Sequence, residues 1–334
     1  MKPTTGGLPS GEWRKIVARF EKPSIKRSVW QIVNSVVPYF GVLYLMYLSL
    51  DVSIWLTLAL SVPAALFLIR IFIIFHDCGH GSFFKNRKAN AITGFFTALM
   101  TFTPAYYWSH QHARHHASSG DLDNRGFGDM WTLTVDEYRA RSRGQRLWYR
   151  VYRHPAFFLL FGSFFTFFIR HRYWISADNP RQRRSTMHTN IALAIIVTVC
   201  AFTIGIKAYI LLQVFVMFIA GMAGIWLFYV QHQYEGVYWE RHEDWDYFRQ
   251  AIEGSSFYNL PRLLHWFTGN IGFHHVHHLS SRIPNYYLRK CHESHPMFRD
   301  AREITLRTSL KCANFRLWDE KRRELVGFAG VDAG

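Results

Sequence analysis

Four long apolar runs constrain this chain more than any other feature. They lie at about residues 32–50, 52–70, 190–206 and 208–230, and Arg70 is the one formally charged residue within them. An α-helix rises 1.5 Å per residue, so about 20 apolar residues cross a hydrocarbon core roughly 30 Å thick. Backbone amides in lipid have no water to bond, and a helix satisfies them internally. Each run therefore reads as a membrane-spanning helix. Asp51 and Gly205-Ile206-Lys207 mark the turns of two hairpins. Pro38 and Pro63 are tolerable inside membrane helices. Arg70, near the end of its run, is expected to snorkel to the interface.

Two further runs, 91–108 and 155–169, are apolar and aromatic but short. They are expected to be interfacial or re-entrant, because a single crossing by either would separate histidine clusters that belong together. The fold class expected is an all-α integral membrane protein. It has about four transmembrane helices, two interfacial or re-entrant segments and a cytosolic helical cap. The domains expected are an N-terminal arm (1–29), one large domain (30–325) and a C-terminal tail (326–334).

Charge supports this layout. The chain carries 39 Lys and Arg against 23 Asp and Glu, a formal net charge of +16. No nucleic-acid-binding motif accompanies the charge, so nucleic acid is not an expected partner. Basic residues flanking the cytosolic ends of membrane helices explain it better. Residues 1–29 hold seven Lys or Arg and no apolar stretch near Met1, unlike a cleavable signal peptide. Both termini are accordingly expected in the cytosol, with a short interfacial helix near 13–20. Cys78, Cys200, Cys291 and Cys312 form no CxxC pair, which argues against a disulfide framework or a zinc ribbon. Cys78 is expected to be a small buried filler.

The chemistry is concentrated in three histidine clusters: His76-Asp77-Cys78-Gly79-His80, His112-Ala113-Arg114-His115-His116 and His274-His275-Val276-His277-His278. Spacings of i, i+3 and i+4 share one helix face, so each cluster presents two or three imidazoles to one point. Eight ligands exceed the four of a zinc ion, which points to more than one metal. Imidazole suits iron, copper, nickel and zinc alike, and spacing does not choose among them. The first cluster lacks the Glu of a zinc-protease HExxH. Structural zinc would favour thiolates, and a bis-imidazole haem would place its histidines within facing spans. Two irons in an all-nitrogen shell fit best. Such a pair can reduce dioxygen and take hydrogen from an unactivated carbon. A cytosolic centre above a membrane core implies a lipid-resident substrate.

The three clusters resemble, in order, the histidine boxes of the membrane-bound fatty acid desaturases. The likeness extends to Phe228-Tyr229-Val230-Gln231-His232, Gly254-Ser255-Ser256, Trp266-Phe267-Thr268-Gly269-Asn270-Ile271-Gly272 and His277-His278-Leu279-Ser280-Ser281-Arg282-Ile283-Pro284-Asn285-Tyr286. From about residue 20 to 325 the chain is most similar to the Bacillus-type acyl-lipid (phospholipid) Δ5 group, with the Δ12 (ω-6) enzymes next. The resemblance implies that His76, His80, His112, His115, His116, His274, His277 and His278 ligate two iron ions, with His232 as an additional ligand. It implies an O2-dependent desaturase acting on phospholipid acyl chains in the bacterial plasma membrane. His110 and His275 fall off the pattern and are expected beside the ligands or at the surface. His154, His171, His188, His242, His265, His292 and His295 are expected to be ordinary loop residues. Asp77, Asp121 and Asp123 are nearest in sequence to orient the imidazoles, with Glu243 and Asp244 able to approach on folding.

The chain shows no CxxC cluster motif, no GxGxxG fingerprint and no haem motif, so electrons are expected from a separate acidic carrier, ferredoxin or flavodoxin. The basic face would attract it. Two rivals stand beside this reading. One is a di-iron hydroxylase of lipids or alkanes, and the other is a non-catalytic membrane metal-binding protein. The second would place ligands along the spans.

Overall fold

The computed structural model describes residues 11–126, 128–329 and 331. Residues 1–10 of the expected arm, and most of the end of the expected tail, lie outside the described residues. Four helices are long and apolar enough to cross a membrane: α2 (Ile25–Ser49), α3 (Ile54–His80), α9 (Pro180–Thr203) and α10 (Ile206–His232). They form two hairpins. The first turns just after Ser49, whose hydroxyl lies 2.7 Å from that of Thr57 across the turn. The second turns at Gly205, whose positive φ of 85° lets the chain reverse between Thr203 and Ile206. Pro38 and Pro63 sit inside continuous helices. Tyr39, Met46, Ala64, Ala65, Leu68, Leu212 and Val216 form the core between α2, α3 and α10.

α3 continues ten residues past its apolar run and α10 two, and both end on histidines of the site. Arg70, expected to snorkel, is instead buried. Its Nε donates to Ser35 Oγ on α2 at 3.1 Å, it donates to the Trp266 carbonyl, and its guanidinium lies 3.9 Å from the Trp266 ring centroid. A buried cation needs paired acceptors, and α2 and the chain at Trp266 each supply one.

The two short runs fold back along the long helices and return. α4 (Arg87–Met100) leads away from the first cluster, the chain breaks at Thr101–Pro104, and α5 (Ala105–Ser118) brings the second cluster back. With 14 residues, α4 extends about 21 Å, too short to span. The second starts at α8 (Pro155–Phe157) and continues in π-helical turns to Ile169. It descends α10: Phe158 stacks on Tyr229, and Phe167 packs against Gly221, eight residues or about 12 Å lower. The two meet where Phe102 packs on Phe168 and Arg172 donates to the Phe102 carbonyl.

The cap is made of short helices: α1 (Glu12–Val17), α6 (Val135–Arg139), α7 (Arg143–Tyr152), α11 (Tyr247–Glu253), α12 (Arg262–Phe267), α13 (His274–Leu279), α14 (Asn285–Ser294) and α15 (Leu306–Cys312). The chain is mostly helical, as expected, and the described residues add five strands of two or three residues. β1 (Leu133–Thr134) pairs in parallel with β4 (Leu317–Asp319), which pairs antiparallel with β5 (Glu324–Val326). β2 (Phe257–Asn259) pairs in parallel with β3 (Glu303–Thr305). These are clamps, not layers. Arg153, fully buried, joins α7 to the rest by donating to the carbonyls of Trp131 and Phe315, to Thr132 Oγ1 and to Gln233 Oε1 at 2.8–3.1 Å.

Candidate metal centre

Each cluster is positioned by a helix end. His76 and His80 occupy the last turns of α3, one above the other at i and i+4. Gly81 then takes a left-handed φ of 70°, and the chain leaves the helix directly after His80. His112, His115 and His116 share one face of α5. His232 is the last residue of α10. His274, His277 and His278 come from α13, a six-residue helix buried along its length.

The strap before α13 is fixed to α3. Gly269 lies over Ile73 with φ 54°, and a Cβ there would stand 2.6 Å from Ile73 Cγ2. After α13, the backbone N–H and side-chain amide of Asn285 both donate to Asp77 Oδ2, at 2.7 and 2.8 Å. The first and third boxes are thus tied through a carboxylate next to His76.

Among the described residues, these histidines gather into two groups whose ligand atoms lie within 4.8 Å of one another. One holds His76, His80, His112, His116 and His277; the other holds His115, His232, His274 and His278. All nine histidines singled out from the sequence are therefore brought together, and all three clusters lie at one end of the long helices. In the first group Nε2 meets Nε2 at 3.0 Å (His112 and His76), 3.2 Å (His116 and His112) and 3.0 Å (His277 and His116). In the second the separations are 3.2 Å (His115 and His232) and 2.9 Å (His232 and His274). The four-histidine group is fully buried, whereas His80 and His116 of the other are partly exposed.

Chemically, these rings suit a metal. Several Nε2 atoms converge with at most one proton to share between each pair, and the buried Nε2 atoms of His80 and His278 have no hydrogen-bond partner. Burial, and then the neighbouring imidazoles, hold His112, His116, His274, His277 and His278 well below the ordinary histidine pKa. They are neutral at pH 7, which is the ligating form.

The far ring nitrogens are oriented from behind, as metal-ligating histidines usually are. His76 Nδ1 lies 3.1 Å from Asp77 Oδ1, His115 Nδ1 bonds Asp129, and His232 Nδ1 lies 3.2 Å from the Gly254 carbonyl. Trp108 stacks on His112 with centroids 4.4 Å apart and, with Phe72 and Phe75, walls the first group; Phe228 walls the second beside His115 and His232.

Several expectations need correction. Of the acids nearest in sequence, only Asp77 reaches a clustered imidazole. Asp121 accepts from the exposed His242 at 2.7 Å, and Asp123 pairs with Arg241. Glu243 and Asp244 sit in a surface turn. Asp129, not singled out beforehand, takes their place, brought back by the loop after α5. The remaining histidines are not all loop residues. His188, His265 and His292 lie in α9, α12 and α14. His171 is buried and pushed down to about 3 by desolvation and then by Arg172 and Arg170. His275 is wholly buried, its Nε2 3.0 Å from His292 Nδ1, on the opposite side of α13 from the clustered rings.

Comparison with known proteins agrees with this geometry. A family model described as fatty acid desaturase matches residues 53–308. A Bacillus subtilis protein described as a fatty acid desaturase is 48% identical over 317 residues, covering 95% of this chain and 90% of its own length. An sn-1 oleoyl-lipid 12-desaturase from Synechocystis is 28% identical over 77% of this chain and 71% of its own. An sn-1 acyl-lipid omega-3 desaturase (ferredoxin) from Nostoc is 22% identical over 84% of this chain and 77% of its own.

Proposed function

This chain belongs to the fatty acid desaturase family, and on that premise we propose that it introduces a cis double bond into saturated acyl chains of membrane phospholipids, at Δ5. The observation that carries the reading is the pair of histidine groups at one end of four membrane-length helices. The Δ5 assignment rests on the Bacillus-type resemblance. The oleoyl-lipid 12-desaturase among the relatives favours Δ12 as the second reading.

The overall change removes one hydrogen from each of two neighbouring methylenes. O2 takes these with two electrons and two protons, giving two waters. Two iron ions, held by the five- and four-histidine groups, would supply the reduction of O2 and the oxidising power. Neutral imidazoles without a thiolate among them suit iron, and five in one group exceed the four ligands of structural zinc.

The chain's own residues do the positioning. Asp77, Asp129 and the Gly254 carbonyl accept the far N–H of His76, His115 and His232, so each Nε2 lone pair faces inward. Trp108 fixes the plane of His112. Phe72, Phe75 and Phe228 keep bulk water from the rings. No electron-carrying group is encoded in the sequence, so the two electrons come from a small acidic carrier, ferredoxin or flavodoxin; the Nostoc relative's description supports ferredoxin. The basic 1–29 segment and the charges after His80 support a bacterial plasma-membrane location with the metal end and both termini in the cytosol.

The test is lipid analysis of a bacterial host with saturated membrane lipids expressing this chain beside His112→Ala. Mass spectrometry of derivatised fatty esters locates new double bonds. A Δ5 bond absent from the variant supports the proposal, and a Δ12 bond replaces its regiochemistry. A hydroxylated chain, or no change with metal-loaded protein and donor present, refutes desaturation.

A further inference from the structure

Among the cap's short helices, α6, α11 and α14 carry acidic residues and leave no large apolar side chain exposed apart from Tyr247, whose hydroxyl donates to the His278 carbonyl. α7 (RGQRLWYRVY), α12 (RLLHWF) and α15 (LRTSLKC) contain no acidic residue; each anchors itself through a buried Tyr149, Phe267 or Cys312 and exposes apolar residues on its other side. Leu147 is 64% exposed, Trp148 54%, Leu263 66% and Leu310 68%, joined by Val151 and Leu306. Leu147 and Val151, and Leu306 and Leu310, are i, i+4 pairs, so each makes a stripe along its helix. Arg143, Arg262, Arg307 and Lys311 are exposed beside these stripes.

The three helices also occupy the right height. α12 sets Trp266 and Phe267 edge-on to Phe67 of α3, at 6.1 and 5.1 Å. Phe67 is nine residues, about 14 Å, nearer the bilayer than His76. α15 meets α10 where Tyr229 Oη donates to the Cys312 carbonyl at 3.2 Å. α7 packs on the segment that descends α10, with Trp148 edge-on to Phe157 at 5.7 Å, next to Phe158 on Tyr229. Tyr229 is three residues, about 4.5 Å, below His232. All three therefore lie on the membrane side of the histidines.

We propose that α7, α12 and α15 form a foot that rests in the headgroup layer of an anionic phospholipid leaflet. Their Leu, Val and Trp side chains enter the upper acyl region and their Arg and Lys side chains meet lipid phosphates. Apolar stripes beside basic ones are the pattern of helices lying in the interface plane, and the absence of acidic residues complements an anionic surface. The foot fixes the height of the metal centre above the acyl layer on the side away from the hairpin turns. The proposal rests on the reading that α2, α3, α9 and α10 span a bilayer.

The test uses the full-length protein in a Cys200→Ser background, reconstituted into vesicles of phosphatidylglycerol and phosphatidylcholine with a nitroxide on acyl carbon 5. A nitrobenzoxadiazole label is placed at Leu147→Cys, Leu310→Cys, Val199→Cys on the lipid-facing side of α9, or Lys290→Cys on α14. The foot predicts that labels at 147 and 310 are quenched as the label at 199 is, while the label at 290 is not. Labels at 147 and 310 as unquenched as 290, with 199 quenched, overturn the foot. An unquenched label at 199 instead refutes the spanning reading beneath it. In the second arm, lipids retained by the purified protein are expected to be enriched in phosphatidylglycerol over the vesicle ratio. The Arg143→Glu/Arg307→Glu/Lys311→Glu variant is expected to return them to that ratio. Wild-type protein without enrichment overturns the assignment to an anionic surface.

Discussion

The unequal size of the two histidine groups makes His232→Ala an informative perturbation. His232 Nε2 stands between His274 Nε2 at 2.9 Å and His115 Nε2 at 3.2 Å, and its removal leaves three imidazoles in that group. Removing His80 from the other group leaves four. A four-ligand site worth about 10–16 kcal/mol distributes about 2.5–4 kcal/mol to each ligand, or roughly 10²–10³-fold in affinity. His232→Ala should therefore surrender one metal per chain at chelator concentrations about two to three orders of magnitude lower than wild type does. The other metal should stay. His80→Ala should keep two metals over most of that range. The assay is elemental analysis of purified protein equilibrated against graded chelator, with circular dichroism confirming an unchanged fold. If His232→Ala holds two metals as firmly as wild type, the four-histidine grouping is wrong. If it loses both together while folded, the two groups are one coupled site and the ligand count argument fails.

Three further outcomes follow from the same geometry. Asp129→Asn removes the carboxylate behind His115 and should weaken metal retention by about 10–100-fold, read by the same chelator series, with smaller change in melting temperature. Acidification should also matter. Burial lowers the folded-state pKa of His112, His116, His274, His277 and His278, so below the unfolded value of about 6.5 the unfolded chain binds more protons. Metal content and melting temperature should therefore hold above that pH and fall steadily beneath it; a loss confined to alkaline pH would contradict the burial. Finally, Arg153→Met leaves Gln233 Oε1 and the carbonyls of Trp131 and Phe315 without their donor. Leaving a buried acceptor unsatisfied costs about 1–3 kcal/mol, so a destabilisation of at least that size is expected, and a denaturation shift under about 1 kcal/mol would show that the network is not intact in solution.

What the sequence discloses is governed by how local each feature is. The spans are written in contiguous residues, and α2, α3, α9 and α10 follow the apolar runs, extending past them where polar ends continue the helix. The clustered histidines are legible for the same reason, since i, i+3 and i+4 spacing acts within one turn. Their division into five and four is not legible: His115 and His116 are neighbours on α5 yet face different groups, and only the packing of α10 and α13 decides which ring joins which. Carboxylate assignment fails likewise. Asp121 and Asp123 are closer in sequence to the second box than Asp129, but a turn stabilised by Asp121 accepting from the backbone N–H groups of Asp123 and Asn124 commits Asp121 to His242 and Asp123 to Arg241. The loop then returns with Gly128 at φ 71° against His115, which places Asp129 on Nδ1. The fate of Arg70 has the same origin. Its neighbours in sequence are apolar, and what takes it out of lipid is a strap nearly 200 residues away, laid over α3 because Gly269 has no side chain to collide with Ile73. That strap runs directly into α13. The contact that buries an intramembrane charge therefore also helps set where the third cluster meets the first, and fold and site share a cause that no window of sequence contains.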